Sequence, residues 1–131
     1  MTPVVLSLPT EDRVRAFAFY TRGLGLEGLG PIADDGVPEP CRIVVNDGLH
    51  LMLVPTGGFG WTLSGRPVAE AGSHECVLVR DFAAPVDVDV IVEQAVAAGG
   101  VLVSAPVQQP WGYSGTLTDP DGHLWMIRSS T

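Results

Sequence analysis

The chain has 131 residues, 46% of them hydrophobic, which is enough for a compact core and too apolar for a disordered segment. Its net charge is −8 and its seven cationic residues are all arginine, so it lacks the clustered cations that nucleic acid binding requires. No apolar run approaches the roughly 20 residues that span a bilayer, and no basic-then-apolar signal segment opens the chain. The expectation is a soluble, cytoplasmic protein with no nucleic acid or membrane partner, whose acidity favours cationic small molecules.

The first predicted element is a strand at Val4–Leu8, ended by Pro9. Thr10 is placed to cap a helix that runs to Arg22, with Val14, Phe17 and Ala18 on its apolar face. Gly23 suits the left-handed stop of that helix, with Leu24 packing back across its end. A short strand is expected at Leu26–Leu29, then a Gly-, Pro- and Asp-rich loop over 30–40. Strand Cys41–Val45, turn Asn46-Asp47-Gly48 and strand Leu49–Val54 read as a hairpin.

A Gly/Pro-rich connection, residues 55–73, leads to a predicted strand at His74–Arg80. The segment Val86-Asp87-Val88-Asp89-Val90-Ile91 alternates like a strand. Its continuation through Glu93–Ala98 favours a helix, stopped by Gly99-Gly100. Strands at Val101–Val107 and Tyr113–Thr118, the turn Asp119-Pro120-Asp121-Gly122 and a last strand at Leu124–Arg128 complete the chain. Cys41 and Cys76 both lie in strand-like runs without a Cys-x-x-Cys partner, so buried free thiols are expected rather than a zinc site or a disulfide.

The segment Asp47-Gly48-Leu49-His50-Leu51-Met52-Leu53 is echoed by Asp121-Gly122-His123-Leu124-Trp125-Met126-Ile127. Each is an Asp-Gly turn entering a strand, with Met at the fifth place after Asp. The chain therefore reads as one domain, 1–131, made of two repeats at about 1–55 and 73–131, each with the order strand, helix, strand, strand, strand. The fold class is α+β: two paired βαβββ units whose curved mixed sheets surround a cup-shaped cleft.

Strand parity assigns the walls. Leu49, Leu51, Leu53, Trp125 and Ile127 point to the core. His50, Met52, Val54, Leu124, Met126 and Arg128 point into the cup, with Val5, Ser7, Glu75 and Val77 on its floor. Trp61, with Phe59 on the Gly-rich connection, reads as a lid; Trp111 and Tyr113 offer faces to planar or cationic groups or, equally, to a dimer interface. The candidate ligand-binding set is His50, Met52, Trp61, Glu75, Trp111, Tyr113, Met126 and Arg128. No catalytic residue is assigned, because neither a Gly-x-Ser-x-Gly elbow nor a phosphate-binding loop is present.

Leu8-Pro9, Ala18-Phe19-Tyr20, Gly23-Leu24-Gly25-Leu26, Ala97-Ala98-Gly99-Gly100, Gly112-Tyr113 and Asp119-Pro120-Asp121-Gly122-His123 occur in an order and spacing that resemble the vicinal oxygen chelate superfamily. That superfamily holds glyoxalase I, the bleomycin-resistance proteins and the extradiol dioxygenases. The resemblance implies the paired βαβββ fold and a homodimer, and no single reaction. It also implies four strand positions for a divalent metal. These fall on Val5, Met52, Glu75 and Met126, with a one-residue slip bringing His74 into play. Thioethers are soft ligands and Val is inert, so neither a metal nor another cofactor is expected. His50, His74 and Glu75 do not visibly assemble an alternative set. The leading expectation is a non-metal protein that binds a small organic ligand, aromatic or cationic, such as an antibiotic. The alternatives are a metal-dependent lyase, isomerase or dioxygenase of the same superfamily, and an interaction module whose cup is filled by its own side chains.

Overall fold

The structure is a computed structural model that describes residues 2–130. Strand β1 (Val4–Thr10) leads to helix α1 (Arg13–Ala18), which widens into a π-helical turn at Phe19–Gly23. Strands β2 (Glu27–Leu29), β3 (Cys41–Asn46) and β4 (Leu49–Pro55) follow, and helix α2 (Thr56–Thr62) opens the connection. The second unit contains β5 (Leu78–Phe82), α3 (Pro85–Ala97), β6 (Val101–Gln109), β7 (Gly112–Thr118) and β8 (Leu124–Ser129). Each unit forms a four-stranded mixed sheet, ordered β1-β4-β3-β2 and β5-β8-β7-β6. In both, the first strand runs parallel to the fourth, and the others pair antiparallel. The expected βαβββ architecture is present twice.

Several local expectations are corrected. Pro9 does not end β1: the strand lies at the sheet edge, where a residue without an N–H is tolerated. The cap of α1 is Asp12, whose Oδ1 accepts from Arg15 N at 3.1 Å. Thr10 is buried and its hydroxyl instead reaches Asp121. Val14 is 45% exposed, and the inward face of this segment is Ala16, Phe19 and Tyr20. The 55–73 connection contains α2, which its glycines did not suggest. β5 starts at Leu78 rather than His74, so Glu75 and Cys76 precede it and are exposed; only Cys41 is a buried thiol.

The alternating Val86–Ile91 segment is helical. Pro85 sits at the first helical position, Asp87 accepts from Ala84 N at 3.2 Å, and Val88, Val92 and Ala95 make one buried stripe. Val86 and Val90 remain outside. One core joins the units. Leu8, Ile43, Leu51 and Leu53 of the first sheet and Leu117, Trp125 and Ile127 of the second belong to a single buried cluster with Ala16, Phe19, Tyr20 and the α3 stripe. Tyr20 packs edge-on to Phe19 at 5.0 Å and tilted on Trp125 at 5.9 Å. Gly23 lets the π-turn approach α3: a Cβ there would lie 3.1 Å from Ala98 Cβ and 3.2 Å from Ala95 Cα.

Polar links tighten the same junction. Tyr20 OH donates to Asp119 Oδ2 at 2.6 Å and receives Trp125 Nε1–H at 3.3 Å. Asp121 accepts from Thr10 Oγ1 at 2.6 Å, Glu11 N at 2.9 Å and Arg15 Nη2 at 3.4 Å. His123 Nε2 bonds Pro9 O at 2.8 Å, Arg80 donates to Leu24 O at 3.1 Å, and Gln94 Nε2 donates to Arg22 O at 2.8 Å. The 30–40 loop is held from α1, where Arg13 bonds Asp35 at 2.6 Å and Pro38 O at 2.5 Å.

Candidate functional site

Pairing register fixes the non-core face of each sheet. On the first, Met52 sits between Ser7 of β1 and Arg42 of β3, and His50 sits between Val5 and Val44. Arg42 Nε donates to His50 Nδ1 at 2.9 Å. A neutral imidazole that accepts at Nδ1 carries its proton on Nε2, so His50 has a donor left for another group. Arg42 was not among the predicted site residues. Its signal was the alternation of Cys41–Val45, which puts it on the face of Val44 and opposite the core residues Cys41 and Ile43.

On the second sheet, Met126 sits between Val79 and Thr116, and Arg128 between Asp81 and Ser114. Arg128 Nε donates to Asp81 Oδ1 at 2.5 Å. This bond and the opposite charge hold the Asp81 carboxyl below its ordinary pKa and raise that of Arg128. Strand pairing thus brings His50 together with Met52, and Met126 together with Arg128, but pairs neither sheet with the other.

The aromatic candidates go elsewhere. Trp61 is 83% exposed on α2, and Trp111 is 51% exposed in the β6–β7 turn. Tyr113 lies on the helix side: it packs against the core cluster and its hydroxyl donates to Asp89 of α3 at 2.6 Å, a hydrogen bond that raises the phenol pKa. Glu75 lines a half-open pocket of about 400 Å³ between the edge strands β1 and β5, bordered by α2, residues 67–76 and the 121–124 turn.

The register also corrects one metal position. Ser7 opposes Met52 as Val79 opposes Met126, so counting back two residues makes Val77, just ahead of β5, the counterpart of Val5 in the second unit, not Glu75 or His74. The four family positions are then Val5, Met52, Val77 and Met126, two aliphatic groups and two thioethers. Among the described residues, no three His, Cys, Asp or Glu side chains gather into a metal-binding group. The Arg42 guanidinium against His50 further opposes a cation there. This donor set does not fit the divalent metal of the superfamily.

Two four-stranded mixed sheets of this order, each carrying its helix on the core side, define the glyoxalase/bleomycin-resistance fold. The chain belongs to the glyoxalase-like domain family, whose model matches residues 4–127, and with it to the vicinal oxygen chelate superfamily. It is similar to a glyoxalase-related enzyme from Fulvimarina pelagi, with 26% identity and a TM-score of 0.83 over 98% of this chain and 88% of that one. A glyoxalase/bleomycin resistance protein/dioxygenase family enzyme from Burkholderia phytofirmans PsJN shares 19% identity at a TM-score of 0.74, with 97% of each chain covered. TioX from Micromonospora sp. ML1 shares 24% identity at a TM-score of 0.68, with 100% of each chain covered. No curated protein matches the chain. Among the described residues, no helix is long and apolar enough to cross a membrane.

Proposed function

We propose that this protein binds a small organic ligand without a metal, on the non-core face of its first sheet. The observation that carries this reading is the Arg42–His50 pair, 2.9 Å apart on a strip formed by Val5, Val44, Met52 and Val54, with Ser7 beside Met52. The Met52 thioether adapts to a flat aromatic body, while the Arg42 guanidinium and His50 Nε2–H supply donors for a carbonyl or carboxylate on the same molecule. An aromatic antibiotic with such acceptors belongs to this class.

The working form in this reading is a homodimer. Val101, Val103 and Val107 of the edge strand β6 are exposed and uncharged, an apolar edge that a second copy would bury. Free Cys41 and Cys76 suit the cytoplasm.

A thermal-shift panel of aromatic carboxylates, aromatic antibiotics and simple metabolites tests the reading. A ligand at 100 times its dissociation constant stabilises the fold by about 2.7 kcal/mol, and Arg42→Ala should abolish that gain. A flat panel sinks the proposal. A stoichiometric divalent ion in untagged protein, found by elemental analysis, overturns its metal-free part. Sedimentation tests the dimer, which Val101→Arg with Val103→Arg should dissociate.

A further inference from the structure

We propose that the cavity between the edge strands β1 and β5 is a second site, which takes a small organic cation with an apolar body. The sheets do not pair through these edges, and the gap between them is left as a half-open pocket of about 400 Å³. That volume lies within the range that holds small organic ligands. Leu6, Leu78, Phe59 and Leu63 line it from β1, β5 and the α2 segment, so an apolar body is desolvated on several sides.

Charge selects the sign of the occupant. Glu70 and Glu75 line the same pocket, and neither has an ion-pair partner among the described residues. None of the seven arginines lines it, and the chain has no lysine. Asp121 also borders it but is already committed to Thr10, Glu11 N and Arg15. An ammonium group beside Glu70 or Glu75 is attracted and meets no arginine in the lining, whereas a carboxylate is disfavoured. The site meets the first sheet's ligand face only at the β1 edge. Its preference is opposite to that of Arg42 and His50.

The test uses three probes with one phenylethyl frame: 2-phenylethylammonium, neutral 2-phenylethanol and phenylacetate. Each is titrated into the full chain and followed by backbone amide NMR. The expected result is binding of the ammonium at least tenfold tighter than the alcohol, with shifts at residues 59–63 and 68–76. Glu70→Gln with Glu75→Gln, both surface changes, should weaken the ammonium at least fivefold and leave the alcohol unchanged. Leu63→Trp should fill the pocket and remove binding, while Met52→Ala should not. Equal affinity for ammonium and alcohol, no shifts, or shifts confined to residues 42–52 would overturn the proposal. Because the probes report by position, failure here leaves the first-sheet reading standing, and failure of Arg42→Ala in the other assay leaves this one standing.

Discussion

Unit one and unit two share a strand order, a parallel first and fourth strand, and a Met at the same register position. They part company at the turn before the last strand. In unit one, Asn46 Oδ1 accepts from Gly48 N at 2.9 Å and Leu49 N at 2.8 Å, and the turn stays on the surface. In unit two, Asp119 Oδ1 accepts from Asp121 N and His123 N, both at 2.9 Å, and the residue is 1% exposed. Its second oxygen takes the Tyr20 phenol from the other unit. One side chain therefore finishes a turn and anchors a helix from elsewhere. The same split separates Leu51 from Trp125, which hold equivalent register positions: both are buried, but only Trp125 also bonds Tyr20. Repetition sets the sheets, and the departures from repetition join them.

Truncating the two equivalent core residues is the sharpest test. Trp125→Ala should cost about 3–5 kcal/mol in denaturant unfolding and Leu51→Ala about 2–5 kcal/mol, with Trp125 the larger. Equal losses would mean that the junction adds nothing beyond burial.

The two thiols separate the regions next. Burial raises Cys41 from 9.0 to about 11. Above pH 9 the unfolded chain gives up this proton and the folded chain keeps it. The thiol's contribution is therefore intact below pH 9 and lost as pH rises through about 11. At roughly 1.4 kcal/mol per pH unit the loss approaches about 3 kcal/mol. Cys41→Ala should flatten stability over that window and Cys76→Ala should not. Iodoacetamide should label only Cys76 in the folded protein.

Tyr20→Phe takes a donor from a carboxylate whose pKa burial already raises, and should cost about 1–3 kcal/mol. Asn46→Ala, at the exposed turn, should cost about 1 kcal/mol or less. A larger loss at Asn46 than at Tyr20 would invert the comparison.

Where residues follow a period, sequence reasoning reached the structure. Leu51, Leu53, Trp125 and Ile127 are core, and their neighbours His50, Met52, Met126 and Arg128 face away from it. It failed where a partner decides. Cys76-Val77 reads as strand, but pairing with β8 begins only at Leu78 opposite Trp125, and Glu75 leaves the sheet face with them. Three glycines hid α2, whose Phe59 and Leu63 contribute to the cavity wall. Tyr113, grouped with the ligand candidates on its aromatic character alone, shares the core side of β7 with Leu117 and bonds Asp89 of α3. Arg42 was legible by parity and became informative only with its bond to His50.

Asp121 holds Thr10, Glu11 and Arg15, the start of the first helix, from more than a hundred residues away in sequence. On the ribosome the chain emerges N-terminus first. Strands β1 to β4 are complete long before that carboxylate exists, so until then the start of the first helix is held by its local Asp12 cap alone. The nascent first unit is therefore a partly finished object, in which the Tyr20 hydroxyl lacks Asp119 and Trp125 until the last turn and strand arrive. Synthesis of the last two strands is the step that closes the whole fold.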